Sequence, residues 1–350
     1  MAGLPTVTYA LAPERSNFAA LRLSLALAVV FSHAFSVTTG SIEDEPLAYS
    51  TRFTLGEHAV NGFFAISGFL VTMSFQRRGW RDYVVARLLR IAPGLIVATL
   101  FVSLVIGGLM TRLDLAAYFG DVRLWRFIWG TLSSFKSAAA LPGVFENNPL
   151  PFPLGTVWTL KYETLCYLGV LVAGLVGLLA RRQLALAAWV VLLILALARE
   201  VIAPDGPKGI ETALRLPLIF MTGGLIYLWA DRVRLSLLGL AGLLALTALL
   251  SGTPLYKPLL FVGTAWGVLV LALHPLLTSR SWEPKTDISY GVYLYGWPVQ
   301  QVAFALWPLA GALTLLAPAL VVTVLLGLAS WHVVEAPAMR LKRRLMGSQA

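Results

Sequence analysis

RDYVVARLLRIAPGLIVATLFVSLVIGGLMT, residues 81–111, decides what kind of fold this chain adopts. Its opening ten residues carry Arg81, Asp82, Arg87 and Arg90, and the 21 that follow carry no charge. A helix rises about 1.5 Å per residue, so about 20 apolar residues cross the roughly 30 Å of hydrocarbon in a bilayer. An uncharged run of that length behind a block of arginines reads as a membrane-spanning helix with its basic end at an interface.

Working outward, the same alternation recurs, for example at 165–180 and 313–330. The chain is 58% apolar and 13% charged with mean hydropathy +0.78, a balance that excludes an ordinary water-soluble domain. Helical spans are expected at 18–39, 58–76, 91–111, 157–180, 183–199, 211–230, 235–251, 256–277, 287–308 and 312–334. The expectation is an all-α polytopic membrane protein with about ten crossings, folded as a single membrane domain over residues 1–350.

Orientation follows from the basic residues between the spans. With the N-terminus inside, the inner breaks hold Arg15, Arg22, Arg77, Arg78, Arg81, Arg87, Arg90, Arg181, Arg182, Arg232, Arg234, Arg280, Lys285 and the tail from Arg340 to Arg344. That is 17 of the 27 basic residues, so both termini are expected in the cytoplasm. No short apolar core with a cleavage site opens the chain, and no removable signal peptide is expected. The net charge of +10 therefore reads as topology signal and anionic-ligand contact, and no nucleic-acid partner is expected. The single cysteine, Cys166, lies in an apolar run and supports neither a disulfide nor a cysteine metal site within one chain.

Two outer segments are longer than turns. Residues 40–57 carry Glu43, Asp44, Glu45 and Glu57. Residues 112–156 contain an amphipathic stretch, 124–135, where Trp125, Phe127, Ile128 and Trp129 lie beside Arg123, Arg126 and Lys136, followed by NNPLPFPLG at 147–155. Such a helix suits the membrane interface and is expected to wall the outer mouth of a site.

Polar groups inside spans are costly, and each is a candidate for function. His33, in LRLSLALAVVFSHAF, follows Arg22 by eleven residues, which is ~16 Å along a helix, and so belongs to the outer half of the membrane. It reads either as one interhelical hydrogen bond that locks packing or as a general base, since imidazole titrates near neutrality. Arg87 and Arg90 share one helical face before Pro93, and they read either as headgroup anchors or as a phosphate pocket. Glu163, in WTLKYETLCY, stands at a depth comparable to His33. It reads either as the orienter of an imidazole or as a bridge to Lys161, Arg215 or another cation. In NGFFAISGFLVT, Asn61 and Ser67 accompany Gly62 and Gly68, and close helix packing alone explains the glycines.

Together these segments resemble the acyltransferase 3 family of membrane O-acyltransferases, whose bacterial members acetylate lipopolysaccharide, exopolysaccharide and related glycans. The resemblance covers nearly the whole chain. It rests on Arg22 with His33, FFAISGFL at 63–70, Arg87 and Arg90 with Pro93, WTLKYETLCY at 158–167, ISYGVYLYGWPVQQ at 288–301 and SWHVVEAPAMR at 330–340. It implies that Arg22 and His33 are essential to transfer and that Arg87 and Arg90 hold a cytoplasmic acyl-CoA donor, commonly acetyl-CoA; on our reading Arg77 and Arg78, in the same basic block, help to hold its phosphates. It also implies a bacterial inner-membrane location, a glycan or glycolipid acceptor among membrane lipids, no metal and no permanently bound cofactor. Many members carry His where this chain has Gly296, and many append a periplasmic SGNH-type domain that is not expected here. The rival class, a proton-coupled transporter or flippase, predicts broken helices in two matching halves, and the sequence has no such internal symmetry.

Overall fold

A computed structural model describes residues 6–11 and 16–346, so Arg15 lies outside the described residues. The principal helices are α1 Phe18–Thr39, α2 Leu55–Leu100, α3 Val122–Ser134, α4 Trp158–Leu175, α5 Arg182–Ile202, α6 Lys208–Leu228, α7 Leu237–Leu249, α8 Tyr256–Leu273, α9 Ser289–Leu306, α10 Ala312–Ser330 and α11 Ala336–Leu345. Among the described residues, backbone pairing outside helices and turns is a single isolated bridge between Thr6 and Arg234.

Each expected span is helical, but six helical stretches are both long and apolar enough to cross a membrane among the described residues. They are Phe18–Thr39, Leu55–Met110, Arg182–Ile202, Lys208–Leu228, Tyr256–Leu273 and Ala312–Leu345. The polar residues of α4 and α9 and the shortness of α7, 13 residues, keep those three below that measure. The protein is therefore a multi-pass, all-helical membrane protein. The expected spans 58–76 and 91–111 are two arms of α2, joined at Gly79, whose φ of 77° and ψ of 174° are not helical. A side chain is strained there, and glycine is not.

At its start α2 is closed by a capping box, in which Thr54 accepts from the Glu57 amide and Glu57 accepts from the Thr54 amide. At its end α2 widens into a π-helical turn, Phe101–Ile106, before the short helix Gly107–Met110. The Tyr118 hydroxyl donates to the Ser103 carbonyl at 2.6 Å, and Gly107 leaves it room, since a Cβ at 107 would stand 2.0 Å from that oxygen.

Two compact units interleave along the chain: residues up to 21, 60–84 and 162–285 form one, and 22–59, 85–161 and 286 onward form the other. Lipid tails are as apolar as leucine, so close backbone approach and interhelical polar contacts hold such units together. In the first unit α2 and α6 meet backbone to backbone. A Cβ on Gly68 would lie 1.8 Å from the Phe220 carbonyl oxygen, and one on Gly223 would lie 2.1 Å from that of Ala65. At one end of α5, α6 and α8 a buried charge network joins Arg199, Glu200, Glu211 and Lys257, with Lys257 2.8 Å from Glu211 and 3.1 Å from Glu200.

The second unit packs the π turn, α3 and the loop after it around Leu95, Val102, Tyr118, Val144, Leu154 and Leu294. Leu124, Phe127, Ile128 and Thr131 form the buried stripe of α3, while Trp125 and Trp129 face outward, as the amphipathic reading of 124–135 required. α9 and α10 touch at glycine, with a Cβ on Gly291 only 2.8 Å from the Gly327 Cα.

Candidate functional site

The second unit brings Arg22 and Arg90 together on a carboxylate, Asp287. Arg22 stands one turn into α1, Arg90 lies on α2 just ahead of Pro93, and Asp287 lies in the turn that leads into α9. One oxygen, Asp287 Oδ2, is 2.7 Å from Arg22 Nη2 and 2.8 Å from Arg90 Nη2. The other, Oδ1, accepts from the Ser289 hydroxyl at 2.6 Å. Arg90 also reaches Glu335, with Nη1 3.9 Å from Oε2, and Glu335 Oε1 accepts from Ser330 at 3.0 Å.

The side chain of Glu335 is 3% exposed, and the five-residue π turn Trp331–Glu335 sets its direction at the end of α10. A π turn rotates less per residue than an α turn, so it re-aims a side chain that a regular helix would point elsewhere. Beside it the Arg90 guanidinium lies over the Tyr290 ring at 5.9 Å, and the Tyr290 hydroxyl donates to the Ile91 carbonyl at 3.0 Å. Two guanidinium groups and two carboxylates thus share one half-buried cluster. Guanidinium groups bind carboxylates and phosphates through charge-assisted hydrogen bonds, so a paired-arginine cluster of this kind is chemically suited to anions. Arg87 is half-buried on the same helix, three residues before Arg90.

Eleven residues up α1 from Arg22, His33 meets a second group of side chains. Its ring stands edge-on to Trp297 of α9, with centroids 5.0 Å apart and planes at 86°. His33 Nδ1 is buried and has no hydrogen-bond partner among the described residues. Trp297 is fixed from behind. Its indole N–H donates to the Phe152 carbonyl at 2.5 Å, and Gly155 leaves room for the ring, which a Cβ there would approach to 2.5 Å. Neighbouring Gln301 and Asn148 tie the same loop to α9, with Gln301 Nε2 donating to the Leu150 carbonyl at 2.6 Å. The Pro-rich segment 147–155 therefore lies behind the residue that packs on His33. One turn below, Gln300 donates to the Val30 carbonyl at 2.6 Å, and its own oxygen is buried without a partner among the described residues.

Glu163, one reading of which is the orienter of His33, and two acids of the outer segment 40–57 have partners of their own. Glu57 closes the capping box, and Glu45, 1% exposed, accepts from the Leu47 amide. Glu163 belongs to the first unit, where it accepts from the Ser67 hydroxyl at 3.2 Å and from the Tyr167 hydroxyl. Arg77 and Arg78 also belong to the first unit. Arg78 stands 4.0 Å from Asp82, and Arg77 lines a recess with Gln76 and Arg182.

Sequence reading missed Asp287 and Glu335. Asp287 did leave a signal: it directly precedes ISYGVYLYGWPVQQ and is the only carboxylate in residues 284–334. Gly296, the position where many relatives carry His, faces α1, where a Cβ would lie 2.5 Å from Val30 Cγ2.

A family model described as an acyltransferase domain matches residues 16–332. The chain is 30% identical over 364 aligned positions to "Nodulation protein 10" of Rhizobium leguminosarum bv. viciae, covering 95% of each chain. It is 25% identical over 343 positions to an "O-acetyl transferase" of Shigella phage Sf6, covering 92% of this chain and 96% of that one. No solved structure matches the chain at a significant level. Helices, motifs and family model agree along nearly the whole length: the chain belongs to the acyltransferase 3 family and is an acyltransferase enzyme.

Proposed function

We propose that the protein is an inner-membrane O-acetyltransferase that moves an acetyl group from cytoplasmic acetyl-CoA to a hydroxyl of a periplasmic or lipid-linked glycan. The observation that carries this reading is the arrangement along α1. Arg22 joins Arg90 on Asp287 at one end, and His33 presents an unbonded buried nitrogen ~16 Å along the same helix. In this reading the chain makes ten crossings as a single membrane domain with both termini cytoplasmic, so that the arginine end lies inside and the histidine end outside. The Shigella phage relative named as an O-acetyl transferase supports acetyl as the group and oxygen as the acceptor atom.

In this reading Arg87 and Arg90 take the phosphates of CoA through charge-assisted hydrogen bonds. The pantetheine arm, ~15 to 20 Å when extended, runs along α1 toward the imidazole. His33 removes the proton of the acceptor hydroxyl as its oxygen attacks the thioester carbonyl carbon. The C–S bond then breaks, and the departing thiolate of CoA takes up the proton that the imidazole holds. Trp297, held by Phe152 and Gly155, fixes the ring against α9.

The test is turnover of labelled acetyl-CoA by purified protein with glycan acceptor. His33→Ala abolishes transfer while the variant stays folded and still binds acetyl-CoA. Retained glycan acetylation in that variant overturns the assignment.

A further inference from the structure

The first unit carries a concave feature that acyl transfer does not use. Between α4, α5 and α6, with Thr72 of α2, lies a groove of about 410 Å³. Small residues open it, among them Gly169, Ala173, Ala185, Ala188 and Gly224. At Leu179 and Leu228 the groove runs into a polar recess of about 380 Å³ that includes Gln76, Arg77, Arg182 and Asp231. Arg182 is shared with a third hollow, lined also by Arg181, Trp229 and Arg232.

Charge in the two polar hollows is one-sided, with Arg77, Arg181, Arg182 and Arg232 against Asp231 alone. Arg182 lies 2.6 Å from Asp231, and this hydrogen bond holds the Asp231 carboxyl below the usual carboxylate range. The Trp229 ring is flanked by Arg232 at 5.3 Å and Arg182 at 5.9 Å, and its indole N–H is buried with no partner among the described residues. An interfacial tryptophan beside arginines marks a headgroup level, and basic pockets between membrane helices on the cytoplasmic side hold anionic headgroups.

We propose that the groove and the two polar hollows that meet at Arg182 bind one anionic glycerophospholipid of the cytoplasmic leaflet, with an acyl tail along Gly169 and Ala173 and the phosphate at Arg182 and Arg232. The excess of positive charge selects an anionic headgroup, because a zwitterionic one brings its own cation and gains little from it. The apolar groove selects a lipid over a soluble phosphate, since only a lipid fills both parts. This site uses none of Arg87, Arg90 and His33, and its assignment to the cytoplasmic leaflet rests on the orientation proposed above.

Native mass spectrometry of the full chain in mild detergent, titrated with phosphatidylglycerol or phosphatidylcholine of matched tails, tests the proposal. Gly169→Leu fills the groove without displacing its wall, because a Cβ there meets nothing within 4 Å. Gly242→Leu on α7, equally open and outside the groove, is the control. The wild-type protein retains phosphatidylglycerol over phosphatidylcholine. Arg182→Gln with Arg232→Gln weakens phosphatidylglycerol binding roughly twenty-fivefold, at about fivefold for each basic residue at an anionic leaflet. Gly169→Leu weakens it roughly tenfold, the effect of keeping about two methylenes out of the groove, while Gly242→Leu binds as wild type. Equal retention of the two lipids, wild-type binding by Gly169→Leu, or uptake of palmitoyl-CoA in preference to phosphatidylglycerol would each overturn it.

Discussion

Asp287 holds two arginines from different helices with one oxygen and a serine with the other. Removing one partner of a buried charge cluster leaves the others uncompensated, at about 3 to 5 kcal/mol. Asp287→Ala is therefore expected to lower the melting temperature and abolish transfer, and Asp287→Glu to recover part of both; a thermal melt paired with the turnover assay reads this. Arg87 makes a cleaner probe of the donor than Arg90, since Arg90 also holds Asp287 and Glu335. Arg87→Ala is expected to weaken acetyl-CoA binding about tenfold or more, the loss of one charge-assisted hydrogen bond. Titration in detergent checks it, and unchanged affinity returns Arg87 to an interface anchor. The sequence exposed Arg22, His33, Arg87 and Arg90 because charges stand out against apolar runs. It hid Asp287, whose partner Arg90 is 197 residues away, because such a contact exists only once the helices pack.

Among the elements, hydropathy placed the spans well wherever a run was long and uncharged. The reading 18–39 coincides with α1. It failed where backbone geometry departs from the α-helix. Gly79 joins two expected spans into one kinked element, and the π turn Trp331–Glu335 aims Glu335 inward, which periodicity at 3.6 residues cannot anticipate. The glycines of NGFFAISGFLVT were read as packing positions, and Gly68 is one, pressed against the Phe220 backbone. Gly68→Ala forces α2 and α6 apart, because a carbonyl in a helix cannot move aside as a side chain can. Overpacking of this kind costs about 1 to 3 kcal/mol, so the variant is expected to melt earlier. A Gly68→Ala protein as stable as wild type would mean the two helices separate without penalty.

At the scale of the whole molecule, composition alone excluded a soluble fold, and the basic residues supplied an orientation. That orientation is open to a direct check. Green fluorescent protein fused after residue 346 is expected to fluoresce in the cytoplasm, and alkaline phosphatase inserted at residue 138 is expected to be active outside. The opposite pair of signals would invert the path from donor to acceptor. The division into two interleaved units was not legible, because each unit gathers three separate stretches of chain and no break in composition marks their borders.

The contact of Gly296 with Val30 constrains how this lineage can change. A β-branched side chain has few rotamers with which to move aside, so a histidine at 296 meets Val30 Cγ2 head-on. A histidine at this position is expected to be accommodated better beside a shorter residue at 30, such as alanine, because the close approach is to the Val30 side chain. Libraries that vary residue 296 while keeping Val30 are expected to favour glycine, and libraries that vary both positions to admit larger residues at 296 beside smaller ones at 30.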